Sequence, residues 1–253
     1  MIGLGPRTLF AKEVRRFLRV PGQTVLSPLV TTSLYFLVFG WSLGSRLREV
    51  EGVSYARFIV PGLVMLGVIT NSFLNTSSSI MVMKLQGTMI DLLVSPISYG
   101  EILGAFVGAA AVRGAMVGGV VWLVAACFTG FEVAHPLHGV LALLLVAVTF
   151  ASLGFVTGIW ARTFEQVNFF PTFIITPLTF LGGVFYSAGM LPGPLRALTL
   201  ANPVYFMVDA LRWGMLGRSQ AGAVPGLAIA GGLCAASLGA AYAILRSGWR
   251  LRG

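Results

Sequence analysis

The stretch "KLQGTMIDLLVSPIS", Lys84–Ser98, interrupts a chain that is otherwise overwhelmingly apolar. Its polar residues Lys84, Thr88, Asp91 and Ser95 recur at a helical period, and Leu85, Met89, Leu92 and Leu93 repeat one step over. That pattern predicts a short two-faced helix over 84–95, ended by Ser95-Pro96 because proline cannot continue a helix. A water-facing helix between two apolar runs is an unusual expense of sequence where a turn would join them.

The runs on either side set the class. The chain has 253 residues, 57% hydrophobic and only 10% charged, with a mean hydropathy of +0.89. Soluble domains carry about 25% charged residues. Apolar runs of about 20 residues, enough to cross a bilayer, occur repeatedly, so the expected fold class is an all-α integral membrane protein. No cleavable signal peptide is expected, because the first residues are charged and lack an apolar core. The net charge of +9 is spread over the gaps between apolar runs rather than along one stripe. No nucleic-acid partner is expected. Cys127 and Cys234 both sit in apolar runs and read as small packed hydrophobes.

Working outward, Phe10, Val14, Phe17 and Leu18 form one face of a helix over 7–20, and Lys12, Arg15, Arg16 and Arg19 the other. Such a helix lies in the lipid interface with its cations towards the headgroups. Pro21-Gly22 turns the chain inward, and six spans follow at 24–43, 58–81, 99–128, 137–160, 167–186 and 224–245. Six spans place both termini on one side. With that side inside, it holds Arg7, Lys12, Arg15, Arg16, Arg19, Lys84, Arg162, Arg246, Arg250 and Arg252, against Arg46, Arg48, Arg57, Arg196, Arg212 and Arg218 outside. The excess puts both termini and the quoted helix in the cytoplasm.

Residues 187–220 are too apolar for a loop and too broken by Pro192, Pro194 and Pro203 for a span. They read as two short helices re-entering the outer leaflet. Asn202-Pro203 starts the second as N-cap and first-turn proline, with Asp209 and Arg212 placed to pair. Irregular backbone is tolerated there only where protein buries it or it lines a watery cavity.

Chemistry-bearing residues are sparse. No Gly-x-x-x-x-Gly-Lys-Ser/Thr phosphate loop exists, so the chain does not hydrolyse ATP by that route, and no catalytic residue is assigned. Glu132, His135 and His138 share a loop without the spacing of a metal site, and none is expected. Thr70, Asn71, Asn75, Ser78 and Ser79 stripe the second span, which suits either interhelical hydrogen bonding or the wall of a pathway. The fifth span carries Pro171, Pro177 and five phenylalanines, again suiting packing or a kinked pathway wall. Arg113 lies deep in the third span, where an ionisable residue needs a partner or a function. Gly114 and Gly118 beside it allow a close helix crossing.

In order along the chain, "AKEVRRFLR", "FIVPGLVMLGVITNSF", "LLVSPIS", "PTFIITPLTFLGGVFYS" and "ANPVYFMVDALRWGMLG" resemble the permeases of the ABC type-2 exporter family, over about Lys12 to Leu251. Drug-efflux and nodulation-factor export permeases are similar. The resemblance implies a half-transporter in the bacterial inner membrane: two copies of this chain with two copies of a separate cytoplasmic ATPase, which binds ATP and Mg. This chain itself would hold no cofactor. It implies that Lys84–Ser95 (Lys84, Leu85, Thr88, Met89, Asp91, Leu92, Leu93, Ser95) is the coupling helix in the ATPase cleft. It also implies that Asn71, Asn75, Ser78, Phe173, Thr176, Pro177 and Phe180 line the pathway, and that Asn202, Pro203, Asp209 and Arg212 belong to external re-entrant helices. The cargo is an amphiphile: lipid, glycolipid or saccharide, or drug. Two other classes stay open on the residues alone: a membrane-embedded lipid-modifying enzyme, which needs convergent polar groups at one depth, and an ATPase-independent channel or scaffold.

Overall fold

A computed structural model describes residues 4–43, 49–131 and 133–250. Arg46, Arg48, Glu132 and Arg252 of the sequence reading lie outside the described residues. The chain begins with α1 (Leu4–Leu18) and enters a helical run over 22–43, α-helical at α2 (Ser27–Tyr35) and π-helical on both sides. A hairpin of β1 (Glu49–Val50) and β2 (Val53–Ser54) is the exception to an all-α fold. Then come α3 (Tyr55–Leu85), α4 (Thr88–Val94), α5 (Tyr99–Thr129) and α6 (Pro136–Trp160). A second π-interrupted run joins α7 (Phe164–Phe170) to α8 (Thr176–Phe180). Two short helices, α9 (Gly193–Ala201) and α10 (Pro203–Leu216), precede the closing α11 (Ala223–Ser247).

Among the described residues, four helices, α3, α5, α6 and α11, are long and apolar enough to cross a membrane. The first and fifth expected spans correspond instead to the two interrupted runs. Pro171 and Pro177 explain the second interruption. Neither ring nitrogen can donate to the preceding turn, and the Thr176 N–H reaches five residues back to the Pro171 carbonyl. The Thr176 hydroxyl donates to the same oxygen at 2.8 Å. The expected span 167–186 also ends early: helix stops at Phe180, and Gly183 adopts a left-handed φ of 74° in the turn that follows. Residues 164–180 are about 25 Å of helix, short of the ~30 Å hydrocarbon core.

α3 is the central post, packed on α5 and α6. Close approach there depends on missing side chains. A Cβ on Gly154 of α6 would run into the Phe73 carbonyl, and one on Gly114 of α5 into the Ser72 hydroxyl. Val64, Val68, Phe73, Val117, Val146 and Phe150 form part of the core around one half of α3. Ile80, Phe106, Phe155, Met89 and Leu92 form part of the core around its other end. Between helices that cross the bilayer, close van der Waals packing rather than transfer from water holds these side chains together.

Candidate functional site

At one end of the bundle, the segment that opened the sequence divides in two. Lys84 and Leu85 are the last turn of α3, and Gly87, at φ 72°, breaks the helix before α4 begins. The expected continuous helix over 84–95 is therefore a seven-residue one, Thr88–Val94. Glycine takes the left-handed conformation without Cβ strain. Lys84 does not face outward. Its Nζ donates to the carbonyls of Ile159 and Ala161, each at 2.6 Å. Arg250 Nη1 takes the Trp160 carbonyl at 2.9 Å. Two cations thus satisfy the free carbonyls and negative dipole end of α6.

α4 itself is seated by Met89 and Leu92, both buried in the core, with Leu93 half-buried. The Ser95 hydroxyl turns back to the Leu92 carbonyl at 2.6 Å. Its outer face is Thr88, Ile90, Asp91 and Val94; Ile90 is 59% and Val94 78% exposed. Ile90 and Val94 were missed by the sequence reading, although their four-residue spacing was a visible signal. A capping box at Ser98–Glu101 then starts α5 immediately. α4 is thereby fixed between the ends of the two longest helices.

Deeper in the bundle, α1 does more than lie on the surface. Its Glu13 is 1% exposed. The Ser79 hydroxyl donates to Glu13 Oε2 at 2.7 Å, and Arg16 Nε donates to the same oxygen at 3.0 Å. Arg16 Nη2 donates to the Asn75 carbonyl at 2.8 Å and to Asn75 Oδ1 at 3.0 Å. Arg113 Nη1 shares that amide oxygen at 3.2 Å. Asn75 is thus the node joining α1, α3 and α5. The expected orientation of α1, with all its cations at the headgroups, is corrected at Arg16: acceptors on α3 draw it inward, and Leu18 is left exposed instead. Arg113's partner, unnamed by sequence, is Asn75.

Beside this node an open groove of about 430 Å³ runs between α2, α3, α5 and α8. It brings together four expected pathway or intramembrane residues: Asn71, Arg113, Thr176 and Phe180. The others stand apart from it. Asn75 is buried in the node, and the Ser78 hydroxyl returns to the Leu74 carbonyl at 2.6 Å. Phe173 is exposed and stacks on Phe169, and Pro177 is exposed. Thr70, part of the stripe that suits a pathway wall, lines the groove as well, together with Tyr35 and Thr31, which the sequence reading did not single out.

The opposite end is closed by a buried polar knot. Asn202 Oδ1 accepts from the Val204 N–H at the start of α10, and its Nδ2 donates to the Leu178 carbonyl at 2.6 Å. Pro203 fills the first helical position. Asp209 and Arg212 are both fully buried, 3.7 Å apart. Asp209 accepts from the Ser219 hydroxyl and the Gln220 and Ala221 N–H groups. Arg212 donates to the Gly183 carbonyl at 2.7 Å and lies 4.1 Å over the Phe58 ring. Gln220 bridges onward to Glu51 and Ser187. Burial and the Asp209 carboxylate push the Tyr205 phenol up to about 12, so it stays a donor, to Gln220 Oε1. His135 stacks on Trp213, and no cluster of metal-ligating side chains occurs among the described residues.

Four helices long and apolar enough to cross a membrane, two of them (α3 and α5) walling a groove with α2 and α8, and a short amphipathic helix seated at one end describe a multi-pass membrane protein. The ABC-2 type transporter family model matches residues 7–216. The chain is 41% identical over 211 residues to inner membrane transport permease YadH of Escherichia coli (strain K12), covering 83% of this chain and 82% of that one. It is 29% identical over 200 residues to nodulation protein J of Rhizobium meliloti (strain 1021), covering 79% and 76%. The chain belongs to the ABC-2 type transporter family.

Proposed function

We propose that this chain is the transmembrane permease subunit of an ATP-driven exporter in the bacterial inner membrane, homodimeric and served by two copies of a separate cytoplasmic ATPase that holds ATP and Mg. The observation that carries this reading is α4. It is anchored by Met89 and Leu92 yet presents Ile90, Val94, Asp91 and Thr88 outward. An exposed apolar pair on a rigidly seated helix suits a protein cleft. The end of the bundle that collects Lys84, Arg162, Arg246 and Arg250 is assigned to the cytoplasm by the positive-inside bias, with both termini there. Membrane lipid and a second copy of this chain cover the apolar flanks.

Mechanically, ATP-driven closure of the partner would displace α4. Because α4 is tied to α3 through Gln86-Gly87 and to α5 through Ser95-Pro96, a push on it tilts both helices and changes the width of the groove they share with α2 and α8. Coupling of this kind needs contacts that differ between the two states, which a docked helix supplies. The cargo is an amphiphile whose tail meets Tyr35 and Phe180 and whose polar part meets Asn71 and Thr176. The test is co-purification of the tagged chain, expressed in its native host, with a phosphate-loop ATPase. Wild type retains it; Val94→Asp loses it while the chain still inserts and stays monodisperse. Retention by Val94→Asp would sink the assignment of α4.

A further inference from the structure

Among the described residues, Arg113 has no counter-charge. It lies midway along α5, one of the membrane-crossing helices, and lines the groove. Its single hydrogen bond among the described residues is the one to Asn75 Oδ1, which it shares with a second cation, Arg16. Its Nε is buried without a partner. The nearest carboxylate in this network, Glu13, is already engaged by Arg16, Lys12 and Ser79. Among the described residues, no Asp or Glu lines the groove. An unpaired cation at mid-membrane depth is costly and is retained where it meets a partner or a pathway.

The rest of the groove is prepared for oxygen-rich chemistry. Thr31, Thr32 and Thr70 line it, and their hydroxyls make no hydrogen bond among the described residues. Asn71 spends only its Nδ2, on the Gly67 carbonyl. Tyr35, on the same wall, packs against Phe39 and Phe185, continuing the polar floor into an aromatic flank.

Resting on the exporter reading, we propose that the groove is a subsite for an anionic amphiphile, whose phosphate or carboxylate supplies the missing counter-charge to Arg113 while its hydroxyls meet Thr31, Thr32 and Thr70. The cargo class is thereby narrowed from amphiphiles in general to those with an acidic headgroup. A cationic drug is disfavoured by the same excess of positive charge, since Arg16 and Arg113 stand together.

The test uses the purified full-length chain in detergent, without the ATPase, so that its outcome is independent of coupling through α4. Native mass spectrometry compares retention of dihexanoyl phosphatidylglycerol with that of dihexanoyl phosphatidylcholine, and glycerol phosphate serves as competitor. Wild type should prefer the anionic lipid by at least about tenfold, the size of one charge-assisted contact. Arg113→Gln should remove that preference. Asn75→Asp, which places a carboxylate between Arg16 and Arg113 with no change in size, should remove it too and does not depend on the first variant folding. Equal preference in wild type and Asn75→Asp would overturn the subsite. Displacement of the lipid by glycerol phosphate at equal concentration would overturn the requirement for an amphiphile.

Discussion

Replacing Asn75 by leucine removes the one side-chain acceptor that ties α1 and α5 to α3. The amide oxygen holds Arg16 at 3.0 Å and Arg113 at 3.2 Å. Arg16 keeps its bonds to Glu13 and to the backbone carbonyl of residue 75. Arg113 keeps none among the described residues. Polar contacts between membrane helices average about 0.6 kcal/mol and reach about 1.7. Two charge-assisted ones at a buried site therefore come to about 1–3 kcal/mol, and the stranded guanidinium pushes the total to the upper end. At about 2–4 °C per kcal/mol for a chain of this size, the expected loss is about 5–10 °C in Tm. A thiol-reactive dye in a Cys127→Ser background reads it, because Cys234 is then the sole cysteine and is buried. Asn71→Leu is the control: its amide bonds only its own helix, so Tm should move by less than ~0.5 kcal/mol equivalent. Equal Tm for wild type and Asn75→Leu would refute the node.

Gly154→Ala should cost about 1–3 kcal/mol by forcing α6 off the Phe73 carbonyl, measurable as reduced Tm and loss of monodispersity in size exclusion. Lys84→Met should fray the last turn of α6, speeding amide exchange at residues 157–161 at a cost of about 0.5–2 kcal/mol, with little change at α4. Leu92→Ala should destabilise by about 2–5 kcal/mol because the side chain is core, whereas Val94→Ala should be neutral within ~0.5 kcal/mol; parallel thermal scans distinguish them.

What the sequence made legible was whatever depends on local composition. α3, α5, α6 and α11 follow from uninterrupted apolar length, and the start of α10 from an N-cap asparagine followed by proline. The break at Gly87 was also legible, since glycine between Gln86 and Thr88 is an ordinary stop signal; the continuous period through Leu85 and Met89 overrode it. The early end of α8 had its signal too, in Gly182-Gly183. Non-local pairing was not legible. Nothing near Arg113 in sequence points to Asn75, which a separate helix delivers, and the inward turn of Glu13 and Arg16 depends on Ser79 and Asn75 being there to receive them. Periodicity assigns a charged face to a helix but cannot say whether water or another helix meets it. The fully buried Asp209–Arg212 pair is the same lesson at the opposite end, where the neighbours from Gly183 and Ser219 to Ala221 complete what an i, i+3 spacing only permits.

We propose α4 as the surface on which an ATPase acts. A photo-cross-linking side chain placed at Val94 in the co-expressed complex tests it most directly, with Val140, exposed on the apolar flank of α6, as the control position. A covalent adduct with the ATPase is expected from Val94 and none from Val140. An intact, co-purified complex that yields no adduct from Val94 or from Ile90 would contradict it.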